Sequence, residues 1–193
     1  MELKYVVNDL SYYKNVRQVL KNEFNMSNRL ITKLKQSKSI FLNNEQIYLD
    51  KQLSIGDVVK CEINFNECSE NIMPVKMTIN IIYEDDYFLV VDKPSNIAVH
   101  PSILHYDNSL SNGIKYYFES IGLNRKIRPV NRLDKDTTGL VIFAKNEYIQ
   151  ECLIKQMNKN LFYKEYIAIL DGILDIKKST INASIARKPR KHN

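Results

Sequence analysis

Asn131-Arg-Leu-Asp-Lys-Asp-Thr-Thr-Gly-Leu-Val-Ile-Phe-Ala-Lys145 decides how the rest of this 193-residue chain is read. Its second half, Leu140-Val-Ile-Phe-Ala144, is uncharged and rich in β-branched and aromatic side chains, the composition of a buried strand. Its first half is charged, and Gly139 between the two permits a turn. Side chains of an extended backbone alternate faces, so Arg132, Asp134 and Asp136 share one face while Leu133 points the other way. A guanidinium and carboxylates on the lip of a core strand form an active-site layout.

Outward from this stretch, strand-like segments at 79–83, 87–91, 139–144 and 162–170 surround two helices predicted over 110–121 and 148–158. Ser109 and Asn146 are suited to cap them. The class is α+β. Further upstream, Val16, Val19, Leu20 and Phe24 recur at helical spacing, and Ser27 can cap a second helix with the stripe Leu30, Ile31 and Leu34. Ser39-Ile-Phe-Leu42 and Gln46-Ile-Tyr-Leu49 then flank the turn-prone pair Asn43-Asn44, and Gly56-Asp57 leads into the strand Val58-Val-Lys-Cys-Glu-Ile63. Residues 66–77 are polar, show no period and read as a linker.

Charge is the sharpest compositional fact: 28 Lys and Arg against 22 Asp and Glu, a net +6. Residues 15–40 hold Arg17, Lys21, Arg29, Lys33, Lys35 and Lys38 against the single acid Glu23, and such a patch suits a polyanion as well as a solvated helical face. Cys61, Cys68 and Cys152 cannot all pair, match no zinc spacing and are read as reduced thiols. No apolar run has the length of a membrane span, and no basic-then-apolar signal opens the chain, so the expectation is a soluble cytoplasmic protein.

The 131–145 stretch resembles the H-R-L-D-x-x-T-S-G-L-L-[LV]-F-A-K signature of the RluA-type RNA pseudouridine synthases, with Asn131 in place of His and Thr138 in place of Ser. Two further segments are similar to that family: Ile82-Tyr-Glu-Asp-Asp-Tyr-Phe-Leu-Val-Val-Asp-Lys-Pro-Ser-Asn-Ile-Ala-Val-His-Pro101, and Tyr163-Lys-Glu-Tyr-Ile-Ala-Ile-Leu-Asp-Gly172, which resembles its K-x-Y-x-A-x-[VL]-x-G strand. Asn96 stands where the family usually has Gly, and Asn is the non-Gly residue that best tolerates a left-handed backbone. The helix–helix–sheet outline upstream, through Met26-Ser-Asn-Arg-Leu-Ile-Thr-Lys-Leu-Lys35 and Leu53-Ser-Ile-Gly-Asp-Val-Val59, resembles an S4-like RNA-binding module.

These resemblances imply a small S4-like module over 1–73, linker included, followed over 74–193 by part of a mixed-sheet pseudouridine synthase catalytic domain. They imply an enzyme that isomerises uridine in RNA, acting on large-subunit ribosomal RNA with tRNA as the other substrate to consider, as a monomer, without metal or organic cofactor. By resemblance Asp134 is the catalytic Asp, Tyr166 packs on the target base, and Arg132 is associated with the space that a flipped uridine vacates. Arg29, Lys33, Lys35 and Lys38 would meet RNA phosphates.

Each assignment has a plainer competitor. Asp134 could be a surface salt-bridge partner of Arg132 or Lys135, Tyr166 a packed strand Tyr, and Arg132 an ion-pair partner that orients Asp134. Asp136, which with Asp134 could suggest a hydrolase carboxylate pair, reads as a solvated turn residue. His100 and His105 are too few for a metal site. From Lys177 onward the chain has six basic residues and no acid, a composition that reads as a disordered tail. The resemblance instead implies further strands beyond Asn193, carrying the basic residue that pairs with the catalytic Asp, and hence a truncated chain. The competing function is a protein that holds RNA through the S4-like module without isomerising it.

Overall fold

The computed structural model describes residues 1–64, 67, 69, 71–102, 106–173, 175–176, 178–184 and 186. Cys68, His105 and the basic residues Lys177, Arg187, Lys188, Arg190 and Lys191 lie outside them. Met1–Phe162 forms one compact unit and Tyr163–Asn193 a second.

The first unit begins with strand β1 (Glu2–Val6), which the weak patterning of its sequence does not announce. It pairs antiparallel with β4 (Val58–Glu62), and β4 in turn pairs with β2 (Ile40–Leu42), which carries the two-residue strand β3 (Glu45–Gln46). Asn43 and Asn44 turn the β2–β3 hairpin with φ of 53° and 69°, the left-handed pair that such a turn demands. The predicted strand over 46–49 stops at Gln46, because the next backbone groups are spent on the helix: Leu49 O accepts from Arg17 N–H at 2.9 Å and Lys51 O from Val16 N–H at 3.2 Å.

Asn15 accepts from Gln18 N–H and starts helix α1 (Val16–Gln18), which widens at once into a turn over Val19–Glu23 closed by Phe24 N–H on Val19 O. Ser27 Oγ then accepts from Leu30 N–H and starts α2 (Asn28–Gln36). Val16, Val19, Leu20, Leu30, Ile31 and Leu34 close on Ile40, Val59 and Cys61 as the first core. Each buried aliphatic side chain contributes about 1.5–3 kcal/mol, so the stripe read from the sequence is what holds these short helices.

The second sheet has the order β5-β6-β8-β7, from β5 (Asn80–Glu84), β6 (Phe88–Lys93), β7 (Arg128–Pro129) and β8 (Gly139–Ala144). Its ladders are all antiparallel, not mixed. The parallel pairing described is the isolated bridge Ala98–Ser109, where a short extended piece lies beside a helix start. Helix α3 (Leu110–Ser120) covers one face, its Leu110, Ile114 and Phe118 packing with Leu89, Val91, Val141 and Phe143. Asn146 accepts from Ile149 N–H and caps α4 (Glu147–Asn158).

The polar stretch predicted as a linker is fastened at several of its described residues. Ser69 Oγ accepts from Ile127 N–H at 2.9 Å, Ile72 is buried in the second core, and Met73 O accepts from Asn112 Nδ2 at 2.8 Å. The two cores of this unit are also joined directly. Tyr148 of α4 packs against the first core, and Glu151 accepts from both Ser27 Oγ and Ser27 N–H.

In Tyr163–Asn193 the strand predicted over 162–170 is not formed. A strand is held by a ladder to a neighbour, and none is present for it among the described residues. Tyr163, Ile167 and Ile169 are at least 99 % exposed. Among the described residues no helix is long and apolar enough to cross a membrane.

Candidate active site

The Asp134 loop leaves β7 at Pro129 and returns at Gly139. Asn131 fixes its base. Val130 N–H donates to Ile142 O at 2.8 Å, and the ladder then continues through a side chain: Asn131 Oδ1 accepts from Ile142 N–H and Asn131 Nδ2 donates to Leu140 O, each at 2.9 Å. Leu133 turns in to pack on the second core, while Arg132 and Asp134 are exposed, the alternation expected of an extended segment. Thr137 N–H donates to Asp134 O at 3.2 Å and closes the turn through Lys135 and Asp136. Gly139 enters β8 at a φ of 122°, a conformation that side chains strain to adopt.

Beneath this turn lies a residue that carried no functional expectation. Lys93 is fully buried, and its ammonium donates to Pro94 O at 2.9 Å, Ile97 O at 2.9 Å and Lys135 O at 2.8 Å. Burial pulls its pKa down, against the opposing pull of Asp136 and Asp134. Ser95 Oγ adds a bond to Asp136 O at 3.1 Å, and Asn96 takes the left-handed backbone, φ 63°, expected where the family usually has Gly. The signal for Lys93 was present in the strand period: Leu89, Val91 and Lys93 fall on one face of β6, and that face is the buried one.

His100 completes the rim. Ser111 Oγ donates its only proton to Val99 O at 2.7 Å, so across 3.1 Å it accepts from the Nδ1–H of His100, leaving Nε2 as an acceptor. Partial desolvation of a ring that stays exposed on its outer side, then the nearby Arg132 guanidinium, lower the His100 pKa and favour the neutral ring.

Neither Arg132 nor Asp134 has an ion-pair partner among the described residues, so both side chains face solvent unspent. The salt bridge that competed for Asp134 is not formed. Tyr166, 61 % exposed, belongs to the second unit.

The four basic residues expected at RNA part company. Lys35 and Lys38 are exposed near the C-terminal end of α2, beside Tyr48. Lys33 is taken up by carboxylates, with Glu147 Oε2 at 3.0 Å and Glu67 closer still. Burial alone would raise the Glu67 carboxyl, but Lys33 and Arg128 outweigh it and hold that pKa below the ordinary value. Arg29 pairs with Glu147 Oε1 at 3.4 Å yet keeps its side chain 84 % exposed, in a cleft of about 330 Å3 that it shares with Lys126, Arg128, Arg132 and Gln150. Among the described residues no group of three His, Cys, Asp or Glu is gathered where it could hold a metal ion.

Residues 87–193, which include this loop, match the family model described as RNA pseudouridylate synthase. The chain belongs to the RNA pseudouridylate synthase family. It is similar to an uncharacterized RNA pseudouridine synthase of Bacillus subtilis, 31 % identical over 96 % of this chain and 61 % of that one. It is also similar to the ribosomal large subunit pseudouridine synthases D of Blochmanniella floridana, 38 % identical over 81 % of this chain and 49 % of that one, and of Borreliella burgdorferi, 36 % identical over 88 % and 49 %. This pseudouridylate synthase family member thus spans about half to three-fifths of the length of these relatives.

Proposed function

We propose that the protein isomerises uridine to pseudouridine in RNA, with large-subunit ribosomal RNA in the cytoplasm as substrate and Asp134 as the catalytic carboxylate. The reaction breaks the C1′–N1 bond of the nucleoside, turns the base, joins C1′ to C5, loses the proton from C5 and leaves one on N1. It needs a carboxylate free to attack or to balance developing positive charge, followed by a proton acceptor. The observation that carries the reading is that one loop, anchored by buried Lys93, presents an Asp134 and an Arg132 that both lack an ion-pair partner among the described residues. Anchoring keeps the carboxylate at one height over the sheet, which is what positional catalysis requires.

Arg132 fills the place that the flipped uridine leaves in the stack, and Tyr166 packs on the base and assists removal of its C5 proton. The N-terminal core, read as an S4-like module, contributes RNA affinity through Arg29, Lys35 and Lys38, and the protein acts as a monomer. The test is release of tritium from RNA carrying 5-tritiated uridine, with Asp134→Asn expected to abolish it. A second reading, RNA holding without isomerisation, is favoured by one observation: Tyr166 sits on a segment that pairs with no strand among the described residues. RNA binding with no tritium release would select that reading.

A further inference from the structure

Arg29 and Arg132 are 103 residues apart in the chain, one expected at an RNA-binding surface and the other in the catalytic loop, yet they line one cleft. We propose that this cleft, walled by α2, β7 and the start of α4, seats a backbone phosphate of the RNA strand running on from the uridine held at Asp134. The proposal rests on the pseudouridine synthase reading and adds to it a second attachment point for the same strand.

The lining decides the chemistry. Glu147 is its one acid, and both carboxylate oxygens are occupied, Oε1 by Arg29 Nε and Oε2 by Lys33 Nζ. Arg128 is fixed at the floor, its Nη2 on Glu67 at 2.6 Å and its Nη1 on Lys126 O at 3.2 Å, so it supplies a held positive charge. Lys126 and Arg132 have no ion-pair partner among the described residues, and Arg29, bound through Nε, keeps its terminal amino groups for another acceptor. Gln150 is oriented by its Nε2–H on Pro129 O at 3.0 Å. Arg29 and Lys126, accessible above the held charge of Arg128 with the carboxylate of the lining consumed, make a site for an anion without drawing on Arg132, and forked guanidinium donors match phosphate oxygens. About 330 Å3 is the lower end of the small-ligand range, roughly 300–1000 Å3, and holds a sugar-phosphate unit rather than a folded partner.

The experiment is fluorescence anisotropy of a labelled RNA hairpin with the 193-residue chain over a potassium chloride series, comparing wild type with Arg29→Gln, Lys126→Ala, the double variant, and Lys51→Ala as a basic residue away from the cleft. The double variant is expected to weaken binding about tenfold and to lower the slope of log affinity against log salt by about 1, with Lys51→Ala unchanged. Glu147→Gln separates charge from packing. Relieving the cleft of its carboxylate tightens RNA binding if Arg29 serves phosphate, whereas weakening alongside Arg29→Gln would mean that the Arg29–Glu147 pair only holds the fold and would overturn the proposal. Binding by wild type with an unchanged slope in the double variant also overturns it while leaving the synthase reading intact. No RNA binding by wild type overturns both.

Discussion

The ammonium of Lys93 donates to the backbone carbonyl of Lys135 across 2.8 Å, tying the end of β6 to the residue after Asp134. The same nitrogen holds Pro94 O and Ile97 O, so one buried cation organises two loops that are 42 positions apart in the chain. Carbonyls satisfy it in place of a carboxylate, so Lys93 acts on Asp134 only through space and leaves that carboxylate without a direct ion pair and open to a substrate.

Replacing Lys93 with Met fills the volume but strips three carbonyls of a donor at once. Pro94 and Lys135 are exposed, so water can take up part of what these carbonyls lose, and the loss is expected at about 1–3 kcal/mol in urea unfolding. A midpoint within experimental error of wild type would show that the clamp does not support the loop.

Asn131→Ala removes the side chain that extends the β7–β8 ladder and is expected to cost about 1–2 kcal/mol, with faster hydrogen exchange at Ile142 N–H. Asn131→Asp keeps the acceptor for Ile142 but presents an oxygen to Leu140 O. It should retain Ile142 protection and still lose stability. Equal protection of Ile142 in wild type and Asn131→Ala would refute the bridging role.

Glu151 of α4 accepts from Ser27 N–H and Ser27 Oγ and so holds the N-cap residue of α2 across the two cores of the first unit. Glu151→Ala is expected to cost about 1 kcal/mol, the order of a lost charge-assisted hydrogen bond in a part-buried site, seen as a lower melting temperature. No change would mean that the two cores are held together without this bond.

Acid should destabilise the protein in two steps. The His100 pKa is lowered on folding from 6.5, so the unfolded chain binds the proton first and stability falls as pH drops below about 6.5. The Glu67 pKa is lowered from 4.5, so its contribution is full above that value and is lost as pH falls through the lower folded one. His100→Gln is expected to remove the first step and keep the second. A wild-type melting temperature that is flat between about pH 7.5 and 5.5 would contradict the assignment of His100.

Much of the site was legible because strand alternation and turn chemistry are local. The outward Arg132 and Asp134, the inward Leu133 and the caps Ser27 and Asn146 all follow from neighbours within a few residues, whereas the left-handed Asn96 was expected from the family resemblance. Lys93 was harder, since a lysine at the end of an apolar strand usually reaches water, and only the fold supplies the carbonyls that retain it. The joint through Glu67, Glu147 and Glu151 was invisible, because ion pairs between residues 114 positions apart leave no period in a sequence. The segment 162–170 has the aromatic and β-branched composition of a strand but no ladder among the described residues, a reminder that composition alone does not supply a partner.

The most direct test of the account is tritium release from 5-tritiated uridine in large-subunit ribosomal RNA, by wild type and by Asp134→Asn, with RNA binding measured on both. Release by wild type, none by the variant, and equal binding are expected. Release by Asp134→Asn at the wild-type rate would contradict it.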